Sequence, residues 1–347
     1  MHTGAVKTPN APVFISWIHA QGRTTALARA LGAEVVYVST GSILDPRTAP
    51  FRYVGNAVVT LATMLRRRPP SVIVMAPPLP AVMLCWLYCT VARRPLVIDM
   101  HTGVYNDPKW GWARRATWWL ARRSTLTVVT NEALVDVLQT LGIRAVAVDD
   151  PPEQYPSVGI DGGAAEAGRH VLVPCSYTGD EPVDAIIGAA GLVPGAEFVL
   201  TGKAPADVLK MARSSANVRF TGFVDDAAYL AILQGAGAVL CLTTQDLTMQ
   251  RGGYEALAAA VPLVTSDFPV LRSYFTGGAV FTEADPHAIA DAVKVALRDG
   301  PALSQEMAAL YEEKRREWPL TIAPLREALG VAGQGSSASP VRDPERR

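Results

Sequence analysis

Short apolar runs of five or six residues recur along the chain and alternate with segments of helical periodicity. Runs of this length, rich in Val, Ile and Leu and bounded by glycine, proline or polar residues, are typical of buried strands in a parallel sheet. Strands that alternate with helices predict an α/β fold with a doubly wound sheet. The first series occupies 13–18, 34–39, 71–76, 96–100, 126–131 and 145–150, and the second occupies 170–175, 197–202, 217–222, 238–243, 262–267 and 278–282.

The two series are separated by PPEQYPSVGIDGGAAEAG, a segment rich in proline, glycine and alanine without periodicity. Such a composition indicates an interdomain linker. Helical patterns follow the second series at 286–298 and 302–318, and we expect a break at Pro319. The predicted organisation is an N-terminal domain (1–150), a linker (151–169), a C-terminal domain (170–301), helices that cross back to the first domain (302–330) and a disordered tail (331–347).

Composition is that of a globular protein with two cores. The chain has 347 residues, of which 49% are hydrophobic, and its mean hydropathy is +0.18. The longest apolar run, 79–92, is shorter than the roughly 18 residues that span a bilayer. The run 13–18 is too short for a signal peptide. The cysteines lie in apolar runs, which indicates reduced thiols in the cytoplasm. The sequence has no cluster of cysteines and histidines with metal-ligand spacing, so a metal site is not expected.

Charge is unevenly distributed although the net charge is zero. Between Pro46 and Asn131 there are twelve lysines and arginines and only two acids, Asp99 and Asp107. This basic region would attract a polyanion, an anionic membrane surface or a diphosphate-bearing acceptor.

A tryptophan-rich helix is predicted within 109–123. One of its faces carries Trp112, Ala116, Trp119 and Leu120, flanked by Arg115 and Arg122. An interfacial helix on a membrane has this pattern, and a core-facing helix with solvated arginines is the alternative. The neighbouring apolar run 79–92 and the cluster 66–68 favour a peripheral membrane contact.

Candidate chemistry is concentrated in TTQDLTMQRGGYEALAAAVPLVTSD, residues 243–267. Gly252 and Gly253 can take backbone angles closed to other residues and let a ligand approach. A helix starting near Gly253 would point free N–H groups at an anion. Arg251 can donate to phosphate oxygens, and Glu255 can accept from a sugar diol. A tight strand-to-helix turn without a ligand is the alternative.

Two loops follow strands of the first series, where ligands of parallel sheets bind. The loop 19–25 contains Gly22; the alternative there is a helix cap by Thr24 or Thr25 with a solvated Arg23. His101 follows the strand 96–100, and Asp99 points to the same face of that strand, where it can orient the histidine.

The segment GGYEALAAAVPLVTSD resembles the donor site of the retaining GT-B glycosyltransferases of family four. That resemblance implies two Rossmann-like domains facing each other across a cleft. Glu255 matches the second glutamate of the family's Glu-x7-Glu pattern, which holds the ribose. The first glutamate is replaced by Leu247, so Asp246 or Gln250 would have to substitute.

The resemblance also implies roles for residues outside that segment. His101 would contact the donor sugar, and Gly22 would lie in the loop that faces donor and acceptor. Phe223 would pack on the nucleotide base, and Thr178 lies in the donor-side loop 176–182, where Asp180 is expected to cap a helix. The family's basic pair for the diphosphate is absent between His170 and Gly202, which leaves Lys203 and Arg251 as replacements.

The predicted function is therefore a metal-independent retaining hexosyltransferase, with catalytic roles for His101, Arg251 and Asp99. A nucleotide diphosphate sugar is the donor, no cofactor is needed, and no nucleic acid is expected as a partner. The predicted acceptor is a lipid-linked or cell-surface glycan intermediate at the inner face of the membrane. A soluble secondary metabolite as acceptor, a non-catalytic nucleotide-sugar-binding subunit and a sugar-nucleotide epimerase are the alternatives.

Overall fold

The computed structural model describes residues 11–18, 21–40, 49–155, 168 and 170–331. All twelve predicted strands are present and form two six-stranded sheets, so the predicted α/β fold is confirmed. The strands are β1 (Val13–Ser16), β2 (Glu34–Tyr37), β3 (Val72–Ala76), β4 (Leu96–Met100), β5 (Leu126–Val129), β6 (Ala145–Ala147), β7 (His170–Val173), β8 (Glu197–Thr201), β9 (Val218–Gly222), β10 (Ala238–Cys241), β11 (Leu263–Ser266) and β12 (Ala279–Thr282). The strand orders are β2-β1-β3-β4-β5-β6 and β12-β11-β10-β7-β8-β9, and neighbouring strands pair in parallel.

Helices cover both faces of each sheet, as right-handed crossovers between parallel strands require. Those of the N-terminal half are α1 (Gly22–Leu31), α2 (Ala49–Arg67), α3 (Leu79–Ala92), α4 (Gly103–Asn106), α5 (Arg114–Ala121) and α6 (Glu132–Thr140). The others are α7 (Val183–Gly191), α8 (Ala206–Met211), α9 (Asp226–Gly235), α10 (Arg251–Ala258), α11 (Pro269–Tyr274), α12 (Pro286–Arg298) and α13 (Gly300–Leu329).

Alternate residues of each central strand feed two different cores. Phe14 and Ile73 pack on the side of α1, whereas Ile15 and Val74 pack on the side of α3. All four side chains are fully buried. Because successive residues point to opposite faces and both faces are buried, each of these strands is a continuous apolar run in the sequence.

The last helix, α13, joins the two halves of the molecule. Met307 packs in a C-terminal core, and Ile322 and Leu325 pack in an N-terminal core. The predicted break at Pro319 is wrong, because the helix continues through that proline. Pro319 is exposed, so the carbonyl it leaves unbonded can meet water, and burial on either side holds the helix together.

Loops at the carboxyl ends of the two sheets touch across a cleft. Asn131 Nδ2 donates to the backbone oxygen of Leu247 at 2.9 Å, and Tyr254 Oη approaches Asp149 Oδ1 at 3.5 Å. This is the edge where ligands of parallel sheets bind. The start of the loop at His19, most of the predicted linker and the predicted tail from 332 onward lie outside the described residues.

Candidate active site

Arg251 and Glu255 form a pair on one face of α10. The helix begins at Arg251, two residues earlier than predicted, so the two side chains stand four residues apart and meet. Arg251 Nε donates to Glu255 Oε1 at 2.8 Å, and Tyr229 Oη donates to Glu255 Oε2 at 2.5 Å. Burial raises the pKa of Glu255, against the hydrogen bond from Tyr229 and the charge of Arg251.

The guanidinium of Arg251 reaches across the cleft to the first domain. It contacts Asp150 Oδ2 at 3.4 Å and Glu153 Oε2 at 3.2 Å, and it lies against Gly22. Burial acts to lower the pKa of Arg251, but the carboxylates of Glu255, Glu153 and Asp150 outweigh it and raise the pKa. The pair Arg251–Glu255 therefore lies between the two domains, in the cleft.

Gly252 and Gly253 serve the packing of α10. Both are buried within the helix, so the predicted reason for them, unusual backbone angles, is wrong. A Cβ at Gly252 would lie 2.8 Å from Cys241 Sγ, and one at Gly253 would lie 2.7 Å from Phe275 Cζ. Contact between these glycines and a donor stays a prediction.

His101 and Asp99 meet at the carboxyl end of β4. The ring nitrogen Nε2 of His101 lies 3.0 Å from Asp99 Oδ2, and Nδ1 lies 3.4 Å from Gln21 Nε2. Burial alone would raise the pKa of Asp99, but the charges of His101 and Arg23 and the hydrogen bonds from both lower it to about 2. Asp99 is therefore an ionised carboxylate that orients the imidazole, whose chemistry in the reaction stays a prediction.

Arg23 is the site residue that sequence reasoning missed. It is 6% exposed rather than solvated. Its Nη1 donates to Asp150 Oδ1 at 2.9 Å, and its Nη2 donates to the backbone oxygen of Val148 at 2.8 Å and to Asp99 Oδ1 at 3.4 Å. The alternative for this loop, a threonine cap of α1, is also wrong, since the N-cap residue is Gln21 and Thr24 Oγ1 donates to its side chain.

The remaining predicted donor residues lie at the rim of the C-terminal sheet. Lys203, Thr178 and Phe223 are exposed, and Phe223 is 91% exposed. Gln250 Nε2 donates to the backbone oxygen of Leu242 at 2.7 Å. Leu247, in place of the family's first glutamate, packs against the N-terminal core and has φ of 62°.

A carboxylate occupies the loop where the family's basic pair is missing. Glu181 accepts hydrogen bonds from the backbone N–H groups of Ser176 and Tyr177 at 2.6 to 3.1 Å. The predicted cap by Asp180 is wrong: α7 begins after Pro182, and Asp180 instead accepts from Thr243 Oγ1 at 3.1 Å.

The tryptophan-rich segment divides between two faces. Trp112, Ala116 and Trp119 are exposed, whereas Leu120 is buried beside Thr117. Trp112 lies in a 3-10 turn ahead of α5. The side with Thr117 and Leu120 therefore faces a core, and contact of the exposed side with a membrane stays a prediction.

The described residues hold neither a candidate metal-binding cluster nor a membrane-spanning helix. No group of three or more His, Cys, Asp or Glu in that part of the chain is placed to hold a metal ion. None of its helices is both long and apolar enough to cross a membrane.

Two parallel six-stranded sheets facing each other across a cleft define a GT-B fold. The structure superimposes on that of HepE from Anabaena in complex with UDP and glucose with a TM-score of 0.68 and 14% identity, covering 92% of this chain and 99% of the other. A putative UDP-N-acetylglucosamine 2-epimerase from Listeria monocytogenes superimposes with a TM-score of 0.60 and 12% identity, covering 86% and 91%. The predicted GT-B architecture is confirmed.

Residues 181–299 match the family Glycosyl transferases group 1, which confirms the predicted resemblance in the half of the chain that holds Arg251 and Glu255. A phosphatidyl-myo-inositol mannosyltransferase of Mycobacterium leprae is 24% identical over 273 residues, which are 71% of this chain and 70% of that protein.

Proposed function

We propose that the protein is a retaining glycosyltransferase that moves a hexosyl group from a nucleotide diphosphate to a hydroxyl acceptor. The observation that carries the proposal is the pair Arg251–Glu255 in the cleft, within residues 181–299, which match the group 1 glycosyl transferases. Arg251 stabilises the charge that develops on the departing diphosphate, and Glu255 accepts hydrogen bonds from the ribose diol.

The acceptor hydroxyl is the nucleophile, so the reaction needs no nucleophilic side chain, and Arg251 takes the charge-stabilising role that a metal would otherwise fill. His101, held by Asp99, hydrogen-bonds to the donor sugar. Arg251 now shares its guanidinium among three carboxylates. A bound diphosphate would take the place of Asp150, in the first domain, and Glu153, in the linker, as its partners.

We further propose that the acceptor is carried by a membrane lipid at the inner face of the cell membrane. The support is an exposed apolar surface on α2, α3, α5 and the 3-10 turn ahead of α5; α3 packs against both α2 and α5. We call it the apolar face; its members are Phe51, Val54, Val58, Leu61, Leu65, Met83, Leu87, Val91, Trp112 and Trp119.

The charge around the apolar face supports an anionic bilayer as its occupant. Exposed arginines accompany it at positions 66, 67, 68, 93, 94, 115, 122 and 123. Between residues 49 and 123 the only acids are Asp99, which is buried, and Asp107. Arg123 lies over the ring of Trp119 at 3.9 Å, an arrangement that suits the boundary between lipid headgroups and chains.

The test is transfer of a labelled sugar. A thermal-shift screen with UDP, GDP and ADP selects the base, and the matching nucleotide sugars are then incubated with vesicles that contain polyprenyl- or phosphatidylinositol-linked glycans. We expect labelled lipid from the wild type and from Lys294→Ala, a surface control, and little from Glu255→Ala. A protein that neither binds any of these nucleotide sugars nor transfers sugar from them would overturn the proposal.

A non-catalytic nucleotide-sugar-binding subunit is the second candidate. Two observations favour it: Leu247 stands where the family has a glutamate, and Glu181 fills the loop where the family has cations. Such a subunit would bind the nucleotide sugar and transfer nothing. Conversion of a UDP-sugar without any acceptor, followed by NMR, would instead identify an epimerase.

A further inference from the structure

Arg23 contacts both halves of the candidate site at once. Its guanidinium touches Asp99, the partner of His101, and Asp150, the partner of Arg251. The result is an unbroken row of alternating charges, Asp99–Arg23–Asp150–Arg251, that joins the N-terminal domain to the C-terminal domain across the cleft.

In the N-terminal domain, this row of charges determines the orientation of the His101 ring. Asp99 uses Oδ1 for Arg23 and Oδ2 for His101 Nε2. Thr24 Oγ1 donates to Gln21 Oε1 at 2.7 Å, so the amide nitrogen of Gln21 faces His101 Nδ1. Because an ionised carboxylate only accepts and an amide NH2 only donates, this geometry favours the imidazole tautomer with its proton on Nε2 and its acceptor at Nδ1.

In the C-terminal domain, the same row determines where the guanidinium of Arg251 lies. Asp150 is 8% exposed and divides its two oxygens between Arg23 Nη1 and Arg251 Nη1. The shorter contact, at 2.9 Å, is with Arg23. Arg23 therefore fixes the carboxylate that draws Arg251 towards the first domain.

Stability alone does not account for this arrangement. Replacing buried ion pairs with apolar residues of similar volume is often neutral or stabilising. Arg23 Nε is buried and has no hydrogen-bond partner among the described residues, which adds a cost. A buried guanidinium of this kind is explained by what it orients.

We propose that Arg23 is a positioning residue for sugar transfer, which fixes the tautomer and orientation of His101 through Asp99 and the place of Arg251 through Asp150. The inference rests on the proposed function for its kinetic consequences. Its statement about His101 can be tested without any substrate.

The kinetic test compares Arg23→Met with Arg29→Met, the same change at an exposed position of the same helix. We expect kcat of Arg23→Met to fall by about 100-fold, because a misplacement of about 1 Å costs that much, with the donor KM changed less than threefold. Arg23→Lys keeps the charge but cannot reach three acceptors with one planar fork, so it should recover only part of kcat.

The second test reads the imidazole nitrogens of His101 by ¹⁵N NMR, assigned with His101→Gln among the five histidines of the chain. In the wild type and in Arg29→Met we expect the proton on Nε2, and in Arg23→Met a mixture of tautomers. Asp150→Asn should leave this signal unchanged, because the contact between Asp99 and Arg23 remains, yet it should lower kcat.

Two outcomes would overturn the inference. In the first, Arg23→Met folds and has the same His101 signals and the same kcat as Arg29→Met. In the second, kcat of Arg23→Met is reduced but the tautomer of His101 is unchanged. If Arg23→Met does not fold, Arg23→Lys and Asp150→Asn carry the test, and wild-type kcat in both overturns it. If the wild type transfers no sugar, the proposed function fails and the NMR result alone decides whether Arg23 positions His101.

Discussion

The guanidinium of Arg251 lies directly against the backbone of Gly22, across the cleft between the two domains. A Cβ added at Gly22 would lie 2.4 Å from Arg251 Cζ and 2.5 Å from Nη1, far inside van der Waals contact. Gly22 is the first residue of α1 and does not have a positive φ. The glycine is required there by the approach of Arg251 rather than by its own conformation.

Gly22→Ala should therefore separate activity from stability. The added methyl displaces the end of a flexible side chain, so we expect kcat to fall by about 10- to 100-fold as Arg251 leaves its place. The free energy of unfolding should stay level or rise by about 0.5 kcal/mol, since alanine restricts the unfolded chain. Steady-state kinetics and urea unfolding measure the two quantities.

The control for this variant is Gly191→Ala, at the end of α7, where an added Cβ meets nothing within 4 Å. Equal kcat in Gly22→Ala and Gly191→Ala would contradict the role assigned to the contact.

The sequence predicted features that depend on near neighbours. The strand Val72–Ala76 is buried throughout and was recognisable as an apolar run. Arg251 and Glu255 were picked out as candidates from their local sequence, but their contact was not predicted, because the helix was expected to begin near Gly253 rather than at Arg251. Features that depend on distant neighbours were not predictable.

Arg23 and Pro319 illustrate that limit. The partners of Arg23 lie 76 to 127 residues away along the chain, so its surroundings gave no sign that it would be buried. Pro319 has the local character of a helix breaker, but burial of Ile322 and Leu325 in the other domain keeps the helix continuous.

Glu255→Ala should weaken the binding of a nucleoside diphosphate. A hydrogen bond to a charged group contributes about 1.5 to 3 kcal/mol, so we expect Kd to rise by roughly 10- to 100-fold in calorimetry. Tyr229→Phe keeps the carboxylate and removes only its neighbour's hydroxyl, so its effect should be smaller. An unchanged Kd in Glu255→Ala would remove the ribose from the assigned contacts of this residue.

Arg251→Ala should slow turnover more than it loosens the donor. The leaving diphosphate gains charge in the transition state, so we expect kcat to fall by about 100-fold and the donor KM to change several-fold at most. Arg251→Lys keeps the positive charge, so its kcat should lie between those of the wild type and Arg251→Ala. Equal losses in kcat and in affinity would show that the guanidinium only binds.

The apolar face should hold the protein on anionic vesicles. Each arginine near such a surface contributes about 1 kcal/mol. We therefore expect the quadruple replacement of Trp112, Arg115, Trp119 and Arg122 by serine to lower the partition coefficient more than tenfold in sedimentation.

Phe51→Ser with Leu65→Ser should lower the partition coefficient as well, because both residues are exposed members of the apolar face on α2. Leu192→Ser with Leu209→Ser, exposed leucines of the other domain, is the matched control. A wild type that never sediments with the vesicles would end the membrane proposal and leave a soluble acceptor.

Asp149 should make stability depend on pH. The pKa of Asp149 is raised to about 6, chiefly by burial and also by repulsion from Asp150; the positive charges of Arg23 and Lys314 act in the opposite direction. The folded pKa exceeds the unfolded value of about 3.9. The stability that this carboxyl contributes is therefore fully present below pH 4 and is lost as the pH rises through 6.

Asp149→Asn removes that loss, so the variant should be more stable than the wild type at pH 7.5 and nearly equal to it at pH 4. Two pKa units correspond to about 3 kcal/mol. Asp149 is only half-buried, so solvent screening reduces the expected gain to about 1 kcal/mol. Urea unfolding at pH 4, 6 and 7.5 measures it, with Asp136→Asn, an exposed carboxylate on α6, as control. A difference between variant and wild type that does not change with pH would show that Asp149 titrates alike in the folded and unfolded chains.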